Sequence, residues 1–77
     1  MPSVVDYHIG RLKDKNAVVR ARSARELGLI GDPAALPALE ECYRHETSAE
    51  VKKAIQEAGR AIYKRQMKDD NSNDSGG

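Results

Sequence analysis

Hydrophobic positions in this chain recur at helical spacing four times. Val5, Ile9 and Leu12 form a first apolar stripe, with His8 beside it. Val19, Ser23, Ala24, Leu27 and Ile30 form a second, and Leu36, Leu39, Cys42 and Tyr43 a third. Val51, Ile55, Ala58 and Ile62 form the fourth, at successive steps of 4, 3 and 4. Steps of three and four residues return to one face of an α-helix, whereas a half-buried strand would alternate. The pattern predicts an all-α chain with four helices, at about 3–14, 17–30, 33–45 and 48–66.

Polar punctuation falls between these stripes. Ser3 and Asn16 are placed to cap the first and second helices. Gly31 can adopt a positive φ and close the second helix. Asp32 can accept the free amides of the third helix, and Pro33 suits that helix's first position. Pro37, a turn further on, removes an amide donor and is expected to bend the helix. Thr47-Ser48-Ala49-Glu50 reads as a capping box, the threonine accepting from the third amide and the glutamate reaching back. Gly10 inside the first helix costs about 1 kcal/mol relative to alanine. Close packing of another helix would account for it.

The four helices form a repeat. Leu12 corresponds to Tyr43 at a separation of 31, and Val19, Arg20 and Ile30 to Val51, Lys52 and Ile62 at 32. The unit is a pair of antiparallel helices, present twice. The run Val19-Arg20-Ala21-Arg22-Ser23-Ala24-Arg25-Glu26-Leu27-Gly28-Leu29-Ile30-Gly31-Asp32-Pro33 resembles the HEAT-like repeat of the phycocyanobilin lyase type, whose pattern runs roughly V-R-x-x-A-A-x-A-L-G-x-I-G-D-P. The likeness is strong over 9–33 and fair over 34–46. It weakens over 47–62, where Gly59-Arg60 stands for Leu-Gly and Gln56 for an alanine. The fourth helix is then either the seat of a further repeat or a C-terminal cap.

The resemblance implies a short α-solenoid. In such repeats the second helix of each pair lines the inner, concave surface, here helices 17–30 and 48–66. It also implies a structural ladder in which Arg20 and Lys52 meet the turn carboxylates of Asp14 and Glu46. Exposed pairs of that kind are worth about 0–1 kcal/mol each, so they set register more than stability. Arg22, Arg25, Lys53, Arg60 and Lys64 are left as candidates for partner contact.

Composition narrows the picture. Seventy-seven residues, 39% of them hydrophobic and none Trp or Phe, make one small domain with an aliphatic core. We place the repeat domain at 1–67 and an acidic, disordered tail at 68–77, which carries no apolar residue. One cysteine permits no internal disulfide and suits a reducing compartment. With no apolar run near the roughly 20 residues of a membrane span and no signal-peptide start, the chain is expected to be cytoplasmic. The net charge of +1 conceals a segregation. Arg20, Arg22 and Arg25 outnumber Glu26 in 16–30. Lys52, Lys53, Arg60, Lys64, Arg65 and Lys68 outnumber Glu50 and Glu57 in 48–68. Residues 31–46 and the tail are acidic. These charges are either solvated helix faces or a basic surface aimed at an acidic partner. Tyr7, Tyr43 and Tyr63 either pack on the domain's own edge or stand half-exposed at an interface.

No catalytic constellation emerges, and no cofactor or metal is expected. Cys42 and His45 share a helix face, but no third ligand and no signature accompany them. Adjacent Glu40 and Glu41 diverge by about 100° and cannot work as a carboxylate pair. Gly28-Leu29-Ile30-Gly31 ends a helix with no strand before it, so it is not a phosphate loop. The expected function is a small non-catalytic scaffold or adaptor, its basic concave face meeting an acidic protein surface. A homodimer through exposed end faces is a second kind of partner. Two other readings stand beside it: an accessory factor of bilin lyase or phycobiliprotein processing, and nucleic-acid binding. The latter is disfavoured by a pI near 7.9, the acidic tail, and the lack of aromatics among the basic residues.

Overall fold

The computed structural model describes the backbone of residues 3–75 and the side chains of residues 3–67. The tail at 68–77 lies outside the described side chains. The elements are α1 (Val4–Arg11), α2 (Ala17–Ile30), one 3-10 turn (Pro33–Ala35), α3 (Leu36–His45) and α4 (Ala49–Ser75), with no strand among the described residues.

Local chemistry explains each boundary. The Ser3 hydroxyl accepts from the Asp6 amide at 3.1 Å, and the Asp6 carboxylate accepts from the Ser3 amide at 3.5 Å. That is a capping box where the sequence had suggested a lone serine. α1 ends at Arg11 rather than 14, because the chain tightens. Lys13 and Asp14 donate to Gly10 and Arg11, three residues back. The Asn16 side chain accepts from Val18 at 2.9 Å and starts α2. Gly31 closes it at φ 76°, donating to the Leu27 carbonyl at 3.0 Å. Asp32 accepts from Ala34 at 2.9 Å. The expected helix 33–45 is in fact a 3-10 turn followed by α3. Pro37 has no amide to give the Pro33 carbonyl and its ring would press on it, so the turn before it cannot be α-helical.

The capping box expected at Thr47–Glu50 does not form, and a single-bond cap stands one residue further on. The Glu46 carboxylate folds back and accepts from both the Thr47 and Ser48 amides, at 3.2 and 3.0 Å. This holds Thr47 in the extended turn, and Ser48 becomes the cap, accepting from Val51 at 3.3 Å. α4 then begins at Ala49 and runs past the expected end at 66.

Short turns join α1 to α2 and α3 to α4 as two antiparallel pairs, and α2 packs broadly on α4. Leu12, Leu27, Leu39, Val51 and Ile62 are the largest fully buried side chains, backed by Ala21, Ala24, Ala35, Ala54, Ile55 and Ala58. The α2 stripe is shifted from the expected one. Ala21 is buried, while Val19 is only half-buried and Ile30 is 36% exposed. α2 must face α1 on one side and α4 on the other, so its buried arc is wider than one stripe and centred elsewhere.

A glycine does allow close helix packing, but not the expected one. Gly10 faces open space. At Gly28, a Cβ would lie 2.9 Å from the Ala58 Cα, so α2 and α4 cross there nearly backbone to backbone.

Candidate interaction surface

α2 and α4 lie side by side and form one face of the described structure. At 100° per residue, Val18, Arg22, Arg25 and Leu29 share one edge of α2, opposite its buried arc. By the same spacing Glu50, Lys53, Glu57, Arg60 and Lys64 share the corresponding edge of α4. All are exposed, Leu29 at 75% and Val18 at 63%. Between the edges runs a shallow groove lined by Arg25, Gly28, Leu29, Ala54, Glu57, Ala58 and Ala61. Its floor is small and apolar because the close crossing at Gly28 leaves no room for longer side chains.

Of the five candidate cations only Arg25 lines this groove, with Glu57 entering it from α4; Arg22, Lys53, Arg60 and Lys64 are exposed on the same helix edges by spacing. None of the five lies within 4 Å of a carboxylate among the described residues. Glu50 and Glu57 share the surface, so it is predominantly rather than purely basic. The groove itself was not foreseen. The signal was present in Gly28, because a glycine inside a helical pattern points to a close backbone approach.

The ladder residues behave unequally. Arg20 grips Glu46 in a bidentate pair, Nε to Oε1 and Nη2 to Oε2, both at 2.9 Å. Its Nη1 donates to the carbonyls of Asp14 at 2.8 Å and Lys15 at 3.0 Å. This one guanidinium ties the α1–α2 turn to the α3–α4 turn. The pair is more sheltered than an exposed ladder, its side chains being 19% and 3% accessible. Glu46's carboxyl is held below its usual range, first by the Arg20 hydrogen bond, and Arg20's pKa is raised mainly by the same bond. Asp14 contributes its backbone rather than its carboxylate, which accepts from the Asn16 amide at 2.9 Å. Lys52 meets no carboxylate among the described residues, and its ammonium stands 5.7 Å from the Tyr43 ring centre.

Arg65 was missed. Its Nη1 donates to the carbonyls of Leu29 at 3.3 Å and Ile30 at 2.9 Å, satisfying the end of α2 from α4. Nothing local to residue 65 announces a partner 35 residues away.

Cys42 and His45 do not pair. The thiol lies 3.4 Å from the Leu12 carbonyl, and burial pushes its pKa up. His45 Nε2 is 2.9 Å from Glu41, and that contact, with Arg44 adding to it, keeps the Glu41 carboxyl below its usual range. Among the described residues no three His, Cys, Asp or Glu side chains gather as a metal site. Tyr7 and Tyr63 are 56% and 58% exposed, while Tyr43 is half-buried and accepts from Gln56 at 3.1 Å. No helix among the described residues is long and apolar enough to cross a membrane.

Neither a curated protein nor a solved structure matches this chain. A family model described as HEAT repeats matches residues 1–59, and it does not reach the finer phycocyanobilin-lyase type. HEAT repeats generally act as scaffolds for protein–protein interaction and are typically non-catalytic. With its two stacked helical hairpins and that match over most of its length, the chain belongs to the HEAT repeat family.

Proposed function

We propose that this chain is a protein-binding adaptor whose α2–α4 surface meets an acidic protein surface. Support comes from one observation above the others. Five exposed cations share the outward edges of α2 and α4, Arg25 lines the small-residue groove between these helices, and none of the five has an ion-pair partner among the described residues. Such cations pull an acidic partner in by long-range attraction, and the groove excludes water once the partner is seated. Arg22 and Arg25 contribute from α2; Lys53, Arg60 and Lys64 contribute from α4. Because the rigid helices present these groups in place, binding needs little rearrangement.

The test is affinity capture from the native cell extract, with wild type and with Arg22→Glu, Arg25→Glu and Lys53→Glu combined. Wild type should retain proteins of low isoelectric point, released by salt, and the triple variant should lose them while keeping its helical circular dichroism. Equal capture by the two proteins would refute the reading. A gel shift with random DNA at low salt checks nucleic acid, and no shift at micromolar protein is expected.

A further inference from the structure

The junction between the two hairpins is a template that can be moved by one repeat. Within the chain, the first hairpin offers Arg20, Leu27 and Gly28 to the second. The second answers with Glu46, Val51, Ala58 and Ile62. A step of 32 residues carries the first set to Lys52, Gly59 and Arg60 at the α4 end of the molecule. The reverse step carries the second set to Asp14, Val19, Glu26 and Ile30 at the α2 end. The Arg20–Glu46 pair thereby becomes Lys52 facing Asp14. The Gly28–Ala58 crossing becomes Arg60 facing Glu26. Both exchanges bring opposite charges together.

Those charges make little ion pairing in the single chain. Lys52, Arg60 and Glu26 make no ion pair among the described residues, and Asp14, whose carboxylate accepts from the Asn16 amide, has only Arg11 at 3.9 Å as a charged partner. The apolar surface also matches. At the α4 end a largely apolar groove, which Glu40, Arg44 and Gln56 also line, includes Leu36, Leu39, Ile55 and Gly59. Gly59 takes the place of the fully buried Leu27, and a Cβ there would touch nothing within 4 Å. The same shift brings Ile30, 36% exposed, and half-buried Val19 over that groove.

We propose that copies of this chain associate head to tail, the α4 end of one on the α2 end of the next, through Arg60–Glu26 and Lys52–Asp14 pairs. The other two orientations are opposed by charge. Two α4 ends would set Lys52 and Arg60 against their own kind, and two α2 ends would set Asp14 and Glu26 likewise. A long Arg–Glu pair holds two helices further apart than a glycine–alanine contact, so copies join less tightly than hairpins within one chain. The association is therefore weak and salt-sensitive. The contact is heterologous, and repeating it gives an open row rather than a closed dimer.

Sedimentation velocity on the whole chain tests this, at up to about 1 mM protein and at about 50 and about 500 mM salt. Wild type should sediment faster as concentration rises at low salt and lose that rise at high salt. Glu26→Arg alone and Arg60→Glu alone should each weaken association about tenfold or more. An equimolar mixture of the two should regain it, since in an alternating row every contact again joins opposite charges, the reversed pair and the native Arg60–Glu26 pair in turn. Lys52→Glu, at a side chain touching no other charge, should weaken association by a separate route. Circular dichroism confirms that each variant is folded. Wild type that stays monomeric at low salt, a mixture that fails to regain association, or Lys52→Glu associating like wild type would each overturn the proposal.

Discussion

Gly28 and Gly59 both interrupt helices, and the structure gives them opposite responses to one added methyl group. Replacing a glycine by alanine in a helix interior normally stabilises by about 0.8–1 kcal/mol, because the unfolded chain loses freedom. Gly59 has open space, so Gly59→Ala should gain that amount. At Gly28 the new Cβ would stand 2.9 Å from the Ala58 Cα and 3.1 Å from its Cβ. Carbon atoms rest about 3.5–4.0 Å apart. The obstacle is backbone, so α2 and α4 must separate and loosen Leu27, Ala54 and Val51 around the crossing. Overpacking of this kind costs about 1–3 kcal/mol. Net of the propensity gain, Gly28→Ala should destabilise by about 0–2 kcal/mol. The two variants should therefore differ by about 1–3 kcal/mol. At about 4–8 °C per kcal/mol for a domain of this size, Tm should separate by roughly 5–20 °C. Thermal melts followed by circular dichroism, on dilute protein, measure this directly. If Gly28→Ala melts as high as Gly59→Ala, the close crossing of α2 and α4 is refuted, and with it the origin of the groove floor.

Two further predictions concern the core and the Arg20–Glu46 pair. Leu27 is fully buried, so Leu27→Ala should cost about 2–5 kcal/mol, enough to unfold most of so small a domain at room temperature; a melt within a few degrees of wild type would contradict its place in the core. Glu46's folded pKa lies below its unfolded value of about 4.3, so its contribution is present above that value and lost as pH falls through the folded pKa. Urea unfolding from pH 6 to pH 3 should show a steeper acid loss for wild type than for Glu46→Gln, and identical slopes would refute the role given to the pair.

How much of this was written locally can be judged residue by residue. Ser3, Asn16, Gly31 and Asp32 act where the sequence put them, because a cap is settled within three or four residues. Thr47 failed as a cap for the opposite reason. Glu46 claims the amides around it, and its position is set by Arg20, 26 residues away. Ile30 looked like core because a stripe shows which face is apolar, but not how wide an arc two neighbours will cover. The cations of the α2–α4 face were visible as residue types. The groove there depends on how closely α2 and α4 approach, a tertiary distance that Gly28 permits but does not dictate. Arg65 and Lys52 show the same limit, since a long side chain takes its partner from whatever element lies beside it.

The reach of Arg65 has a bearing on how the molecule comes into being. The carbonyls that finish α2 are satisfied from α4, and much of the face that α2 must hide is covered only when α4 arrives. As the polypeptide leaves the ribosome, the opening half can close α2 at Gly31, but the Leu29 and Ile30 carbonyls and the flank of α2 wait for residue 65 to emerge. The two halves are translated in turn but mature together, so the pair of hairpins folds as one unit.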